Sequence, residues 1–340
     1  LHLSLRRQRQ MCIRDSLNPS FLVVYCNPLF PHNICAKPGL TRLLLPCLDP
    51  GRLLRVSCCH PHRHGHTFFM LSTRLKATIR NTYRQIADGL PGFVPRKEQN
   101  FLVAEIAKTL TGEYDRSRRI LVAEAGTGIG KSLSYAQGAI PVARLTQKKL
   151  VISTATVALQ EQLIHKDLPF YHRHSELPFR FMLVKGRQRY CCEHLLEQAA
   201  NGSEMANFEL DFGALSKHKP SDADKACYQG LWQAYTEGKW DGDRDNWPKP
   251  IPDPCWDRIA ADRHTCNKAL SHHQHCPFHR ARNDMDAADV LVVNHALLLS
   301  DLTMGGGIIL PPPDECIYVL DEAHHLPTIA RDHGAASDSI

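Results

Sequence analysis

Apolar and polar positions along the chain fall into two regimes. Residues 1–69 show neither sustained helical spacing nor alternation. From about Met70 onward the pattern is regular. Leu71–Leu90 has helical spacing, with Leu75, Ile79, Tyr83 and Ile86 on one face, and predicts an amphipathic helix. Ile120–Ala123 is a short apolar run of buried-strand type, followed by a Gly-rich stretch and then a helical one. Val151-Ile152-Ser153-Thr154-Ala155-Thr156 predicts a strand running into a Thr-rich turn. Ile317-Tyr318-Val319-Leu320 predicts a strand that ends on two acids.

Composition sharpens the split. The chain has 340 residues, 43% hydrophobic and 22% charged, enough for one large or two ordinary domains. No apolar run approaches the roughly eighteen residues of a membrane span, and an ordinary apolar fraction excludes disorder throughout. The net charge of +6 would by itself point to a polyanion binder. However, residues 1–69 carry nine basic side chains and only Asp15 and Asp49 as acids, so the rest of the chain is close to neutral. Six of the thirteen cysteines also crowd into 1–69. Leu5–Ser16 resembles a translated sequencing adapter, and the expectation is that 1–69 is foreign to the protein, which would start at Met70. A presequence of mitochondrial type is the rival reading.

Two motifs carry chemistry. Glu124-Ala125-Gly126-Thr127-Gly128-Ile129-Gly130-Lys131-Ser132 stands between a predicted strand and a predicted helix, the context a phosphate-binding P-loop requires. Residues Ala125–Gly130 would wrap phosphates with backbone N–H groups. Lys131 would reach the β- and γ-phosphates, and Ser132 would ligate Mg²⁺. Ala125 stands where the first glycine of the strict pattern belongs. About 190 residues later, Asp321-Glu322-Ala323-His324 follows an apolar strand. This places both carboxylates at the carboxyl edge of a sheet, with Asp321 on Mg²⁺ through water and Glu322 orienting and deprotonating the attacking water. Lys131, Asp321, Glu322 and His324 are the candidate catalytic residues, with ATP and Mg²⁺ as cofactors.

Asp-Glu-Ala-His is the box of superfamily 2 helicases, and other stretches agree with it. Pro95-Arg96-Lys97-Glu98-Gln99 resembles the adenine-reading element of that group, with Arg96 and Gln99 three apart on one helix face. Val151–Thr156, then Leu159 and Gln162, resembles its motif Ia, whose Thr-rich turn contacts single-stranded DNA in relatives. Thr154 and Thr156 are the matching DNA-contact candidates.

Seven cysteines follow Met70: Cys191, Cys192, Cys227, Cys255, Cys266, Cys276 and Cys316. Clustered cysteines in a cytosolic enzyme favour metal binding over disulfides. Their placement, together with the motifs above, makes residues 70–340 similar to the XPD/DinG family of iron–sulfur helicases. That resemblance implies an α/β fold: a P-loop, RecA-like parallel-sheet domain over 70–190 and 287–340. A small helical iron–sulfur insertion would span 191–286. It also implies a [4Fe–4S] cluster held by four cysteines, three of which match Cys192, Cys266 and Cys276. The fourth has no counterpart. His272 or His273 is nearest, Cys191 and Cys255 are further options, a three-Cys, one-His zinc site is a substitute, and a lost cluster is a third outcome. Four tryptophans in the insert (Trp232, Trp240, Trp247, Trp256) read either as its core or as stacking surfaces for single-stranded DNA.

The family's activity is ATP-driven 5′→3′ translocation on single-stranded DNA with unwinding of forked repair and replication structures, in the bacterial cytoplasm. A single-strand-binding protein is among the expected partners and a membrane is not. The family also requires a second RecA-like domain with an arginine finger. The nineteen residues after Asp321 cannot hold one, so the expectation is a fragment that hydrolyses little ATP alone. The contrasting class is a metal-dependent redox-sensing or nucleic-acid-binding module without helicase activity.

Overall fold

The computed structural model describes residues 20–26, 54–58, 72–90, 92–116, 118–125, 129–202, 221–262, 266 and 276–334. The chain divides into two units, one formed by 1–183 with 288–340 and the other by 184–287.

The first unit is a seven-stranded sheet with helices. Its strands are β1 (Ser20–Cys26), β2 (Leu54–Cys58), β3 (Arg119–Ala125), β4 (Lys149–Thr154), β5 (Phe181–Leu183), β6 (Val290–Asn294) and β7 (Cys316–Asp321), in the order β2-β3-β1-β7-β4-β6-β5. β4 is parallel to both β6 and β7, and β5 is parallel to β6. β1 lies antiparallel between β3 and β7, and β2 is antiparallel to β3. Five strands therefore share one direction, and the expected α/β class with a mostly parallel sheet is found. β7 is buried along its whole length and β4 along all but its first residue. Such burial accounts for their unbroken apolar character.

β1 and β2 come from the segment expected to be foreign sequence. Phe21-Leu22-Val23-Val24-Tyr25 is an apolar run of buried-strand type, and Leu22 and Val24 are fully buried between β3 and β7. The charged and Cys-rich surroundings hide this run from a periodicity reading of the whole segment.

The first unit's helices are α1 (Thr73–Gly89), α2 (Lys97–Thr111), α3 (Lys131–Leu145), α4 (Val157–Gln162), α5 (Leu168–His174), α6 (His295–Thr303) and α7 (Leu326–Gly334). Ser72 caps α1 by accepting from the Leu75 N–H at 3.2 Å. The buried face of α1 is Leu75, Thr78, Thr82 and Ile86, so Ile79 and Tyr83 of the expected stripe are half-buried at its border. α2 and α3 pack tightly, and their Leu102, Ile106, Tyr135, Ala139 and Ile140 join Leu121, Ile152, Val292 and Val319 of the strands in one core. The close approach needs Gly138, where a Cβ would stand 2.9 Å from the Ile106 side chain and 3.1 Å from the Val103 carbonyl. Past α6, the buried Asp301 carboxylate accepts four backbone N–H groups, from Gly307, Ile308, Ile309 and Leu310, and shapes the chain that leads into β7.

The second unit is helical, with helices Glu193–Ala200, Asp222–Thr236, Asp253–Ile259 and Pro277–Ala287. Trp240 and Trp256 lie in its core with Leu196, Tyr228, Leu231 and Ile259, and Trp232 and Trp247 pack against that core. Both buried indoles are satisfied: Trp240 donates to the Asp243 carbonyl and Trp256 to the Gln188 carbonyl, each at 2.7 Å. The unit begins at Val184, a few residues ahead of the expected 191, because the preceding basic residues are built into it. Lys185 pairs with Asp243 at 2.6 Å, and Arg187 donates to the carbonyls of Asp262 and Cys266.

The α2–α3 contact yields a test. Gly→Ala inside a helix ordinarily gains up to about 1 kcal/mol, but at Gly138 the added methyl overlaps Ile106. Overpacking of that kind costs about 1–3 kcal/mol. Gly138→Ala is therefore expected to lower the urea midpoint, and a raised midpoint would contradict the close packing.

Candidate nucleotide site

β3 ends at Ala125, and Gly126, Thr127 and Gly128 lie outside the described residues. The loop re-emerges at Ile129 and Gly130, and Gly130 caps α3 with φ +84°. This left-handed conformation suits glycine, and a Cβ here would also meet the Gln99 amide at 2.7 Å. α3 then presents Lys131 and Ser132 in its first turn. The helix dipole and free N–H groups at that end favour an anion.

Across the sheet, β7 delivers Asp321 and Glu322 to the same place. Lys131 Nζ lies 2.8 Å from Glu322 Oε1, although the two residues are 191 positions apart. Glu322 has φ +55° and ψ +40°, a left-handed conformation uncommon for a non-glycine residue and one that stores strain. Its N–H donates back to Asp321 Oδ1 at 3.0 Å, and its other carboxylate oxygen lies 3.5 Å from His324 Nδ1. Burial, with the neighbouring His325, pushes the His324 imidazole below its ordinary value.

Asp321 is 4% exposed. Burial raises its carboxyl to about 6, against the opposing pull of Lys131, and Glu322 raises it further. The Tyr135 hydroxyl donates to Asp321 Oδ2 at 3.3 Å, and the Ser132 hydroxyl faces the same phenol. Tyr135 therefore stands between the two side chains expected to handle Mg²⁺. The sequence reading did not single it out, although its spacing, i+4 from Lys131 and i+3 from Ser132, puts all three on one helix face.

Arg96 and Gln99 open α2 beside this loop. Gln99 is buried and donates to the Gly130 carbonyl at 3.4 Å. Together with Phe93, Val94, Ile129 and Gly130 the two line a cleft of about 310 Å³. At the end of β4, Thr154 is buried and its hydroxyl donates to the Thr156 carbonyl at 3.3 Å, so it shapes the turn from within. Thr156 is exposed and caps α4 by accepting from the Leu159 N–H at 3.3 Å.

In the second unit, Cys192, Cys266 and Cys276 are buried in one small cluster with Ala261. Cys266 Sγ lies 3.3 Å from Cys276 Sγ and 3.8 Å from His279 Nε2. The Cys266 thiol, helped by the N–H groups of Phe278 and His279, holds the Cys276 thiol below its ordinary value. His272 and His273 lie outside the described residues. Cys255 donates to Asp224 at 2.9 Å, and Cys191 belongs to the Trp-rich core. Among the described residues no group of three or more His, Cys, Asp or Glu side chains is arranged to hold a metal ion. Cys266 instead shares hydrogen bonds with both Cys192 and Cys276. Three buried sulfurs gathered in one cluster are of the chemical type that ligates iron–sulfur centres.

Residues 154–338, more than half of the chain, match the family model described as DEAD_2. The chain belongs to the DEAD_2 family. This DEAD_2 chain is 52% identical over 273 residues to the ATP-dependent DNA helicase DinG of Photobacterium profundum, a match covering 80% of the chain and 38% of that protein. It is 39% identical over 267 residues to the proteins of the same name from Escherichia coli and Salmonella typhimurium, covering 77% of the chain and 36% of each relative. The chain thus spans less than two fifths of the length of the curated relatives it matches. Among the described residues no helix is long and apolar enough to cross a membrane.

Asp321 supplies two tests. Its acid is harder to ionise folded than unfolded, so the buried charge opposes folding above about pH 6, and stability falls as pH rises from about 4 to about 6. A rise from 3.8 to about 6 is worth about 3 kcal/mol as an upper bound. Asp321→Asn should therefore raise the melting temperature at pH 7.5 by a few degrees, and an unchanged or lower one would contradict the desolvated charge. In the unsubstituted chain, Mg²⁺-dependent nucleotide binding should weaken about tenfold per pH unit below about 6. Titration calorimetry showing no such loss would place the Mg²⁺ carboxylate elsewhere.

Proposed function

We propose that this protein is an ATP-dependent DNA helicase with a RecA-like motor domain, translocating 5′→3′ on single-stranded DNA and opening forked structures in repair and replication. The observation that supports this most is the meeting of Lys131 with Glu322 over the buried Asp321, which joins a P-loop lysine to an Asp-Glu box. The names of the relatives point the same way.

The chain's residues define the chemistry. Gly130 and the first turn of α3 receive the phosphates, while Arg96 and Gln99 flank the base in the cleft beside them. Lys131 exchanges its bond with Glu322 for one to the γ-phosphate, and this releases the Glu322 carboxylate. Glu322 then orients a water and takes its proton as the water oxygen bonds to the γ-phosphorus. The bond to the β-phosphate oxygen breaks, and ADP carries the leaving charge. Ser132 and Asp321 would hold Mg²⁺, with Tyr135 steadying both, and the ion would supply charge neutralisation on the β- and γ-oxygens.

The 184–287 unit is proposed as the iron–sulfur insertion. Cys192, Cys266 and Cys276 would ligate a [4Fe–4S] cluster, with zinc as the substitute, and the unit would act as a strand guide. Thr156, exposed just past β4, would meet the DNA backbone, with Thr154 shaping that turn from within. Bacterial cytoplasm and a single-strand-binding protein are the proposed setting and partner.

Two measurements test the proposal. Lys131→Ala should weaken Mg²⁺–ADP binding to this chain at least tenfold, and full-length protein carrying this chain should open a 5′-tailed duplex only with ATP. Unchanged binding, or unwinding that survives Lys131→Ala, would contradict the assignment.

A further inference from the structure

His295 begins α6 just past β6 and is fully buried. Its Nδ1 lies 2.6 Å from the hydroxyl of Ser153, also fully buried, on β4. Its Nε2 is buried and has no hydrogen-bond partner among the described residues. A neutral imidazole carries one donor and one acceptor nitrogen, and leaving one unmet inside a protein costs about 1–3 kcal/mol. Burial keeps this ring neutral by pushing it down to about 4, while the backbone carbonyls of Glu322 and Asp321 act from close by in the opposite direction. Those carbonyls lie close to the ring, but neither has the distance and angle of a hydrogen bond to Nε2. The Glu322 peptide is itself held in the left-handed conformation at φ +55°. Ser153 is paired with Leu320, next to Asp321, across β4 and β7, so the unmet ring nitrogen and the strained peptide lie in one neighbourhood. One movement, turning a carbonyl of the Asp321–Glu322 stretch onto Nε2–H, relieves both.

We propose that His295 is a positioning residue that couples the nucleotide edge of the sheet to its DNA edge. With the Ser153 hydroxyl donating to Nδ1, Nε2 carries the proton. When nucleotide draws Lys131 away from Glu322, the Asp321–Glu322 stretch relaxes onto Nε2–H. The ring follows it and shifts Ser153. The residue after Ser153 is Thr154, whose hydroxyl shapes the Thr154–Thr156 turn, so that turn reports the state of the nucleotide site. This inference rests on the helicase reading, because it needs both ligands.

The test is a binding linkage, measured on the whole chain with AMP-PNP–Mg²⁺ and a fluorescent oligothymidylate. The unsubstituted chain should bind the oligonucleotide with an affinity that AMP-PNP changes about fivefold or more, in the range usual for coupled sites. His295→Asn keeps an amide at the Nδ1 position and removes the Nε2 one, and should bring that ratio to one. His295→Gln keeps a donor at the Nε2 position but loses the Nδ1 acceptor that Ser153 needs, so it should lose coupling as well. Ser153→Ala should lose it from the other side. Melting curves certify each variant as folded. Full coupling in folded His295→Asn, or in folded Ser153→Ala, would overturn the proposal. Failure of the unsubstituted chain to bind either ligand would instead overturn the helicase reading, and the coupling with it.

Discussion

The 2.8 Å contact between Lys131 and Glu322 sets the logic of the first unit. It forms only if β3 and β7 run in one direction, so that both end at the same edge, and if α3 opens at Gly130 with its first residues beside Glu322. The two strands do share that direction, although β1 lies between them. The contact also satisfies a carboxylate that, on the proposed reading, would otherwise repel the phosphates, and it holds the lysine where that reading places the γ-phosphate. Beneath it the sheet tolerates a desolvated Asp321 whose charge opposes folding, a loss of stability of the kind functional sites carry.

The meeting of Lys131 with the Asp321-Glu322 pair was legible in the sequence, because a helix opening on Gly-Lys-Ser after a strand, and a strand ending in Asp-Glu, are marked by residue type and position. Tyr135 was less legible. A tyrosine in an apolar helix reads as core, and Tyr135 is fully buried; only the partner 186 residues away gives its hydroxyl a function. Ser153 and His295 were hidden for the same reason, since each is a polar residue inside an apolar strand or helix start and their pairing joins residues 142 apart. Thr154 was read for its exposed chemistry, whereas its hydroxyl turns inward to the Thr156 carbonyl.

The second unit shows the complementary limit. The sequence marked Cys192, Cys266 and Cys276, and the fold gathers their sulfurs. Its border at Val184 was not legible, because Lys185 and Arg187 look like surface charges until their partners, Asp243 and the carbonyls of Asp262 and Cys266, are known. β1 is a third kind of case. Five apolar residues make a good buried strand, but their neighbours are basic, Pro-rich and Cys-rich, and local composition masked local pattern.

The central claim is that Lys131 is shared between Glu322 and the γ-phosphate, so the carboxylate competes with the nucleotide for the lysine. Titration calorimetry of Mg²⁺–AMP-PNP with Glu322→Gln tests this most directly. Neutralising the competitor should tighten binding several-fold relative to the unsubstituted chain. Binding that is unchanged or weaker would show that Lys131 and Glu322 do not exchange partners, and the account of the site would fall.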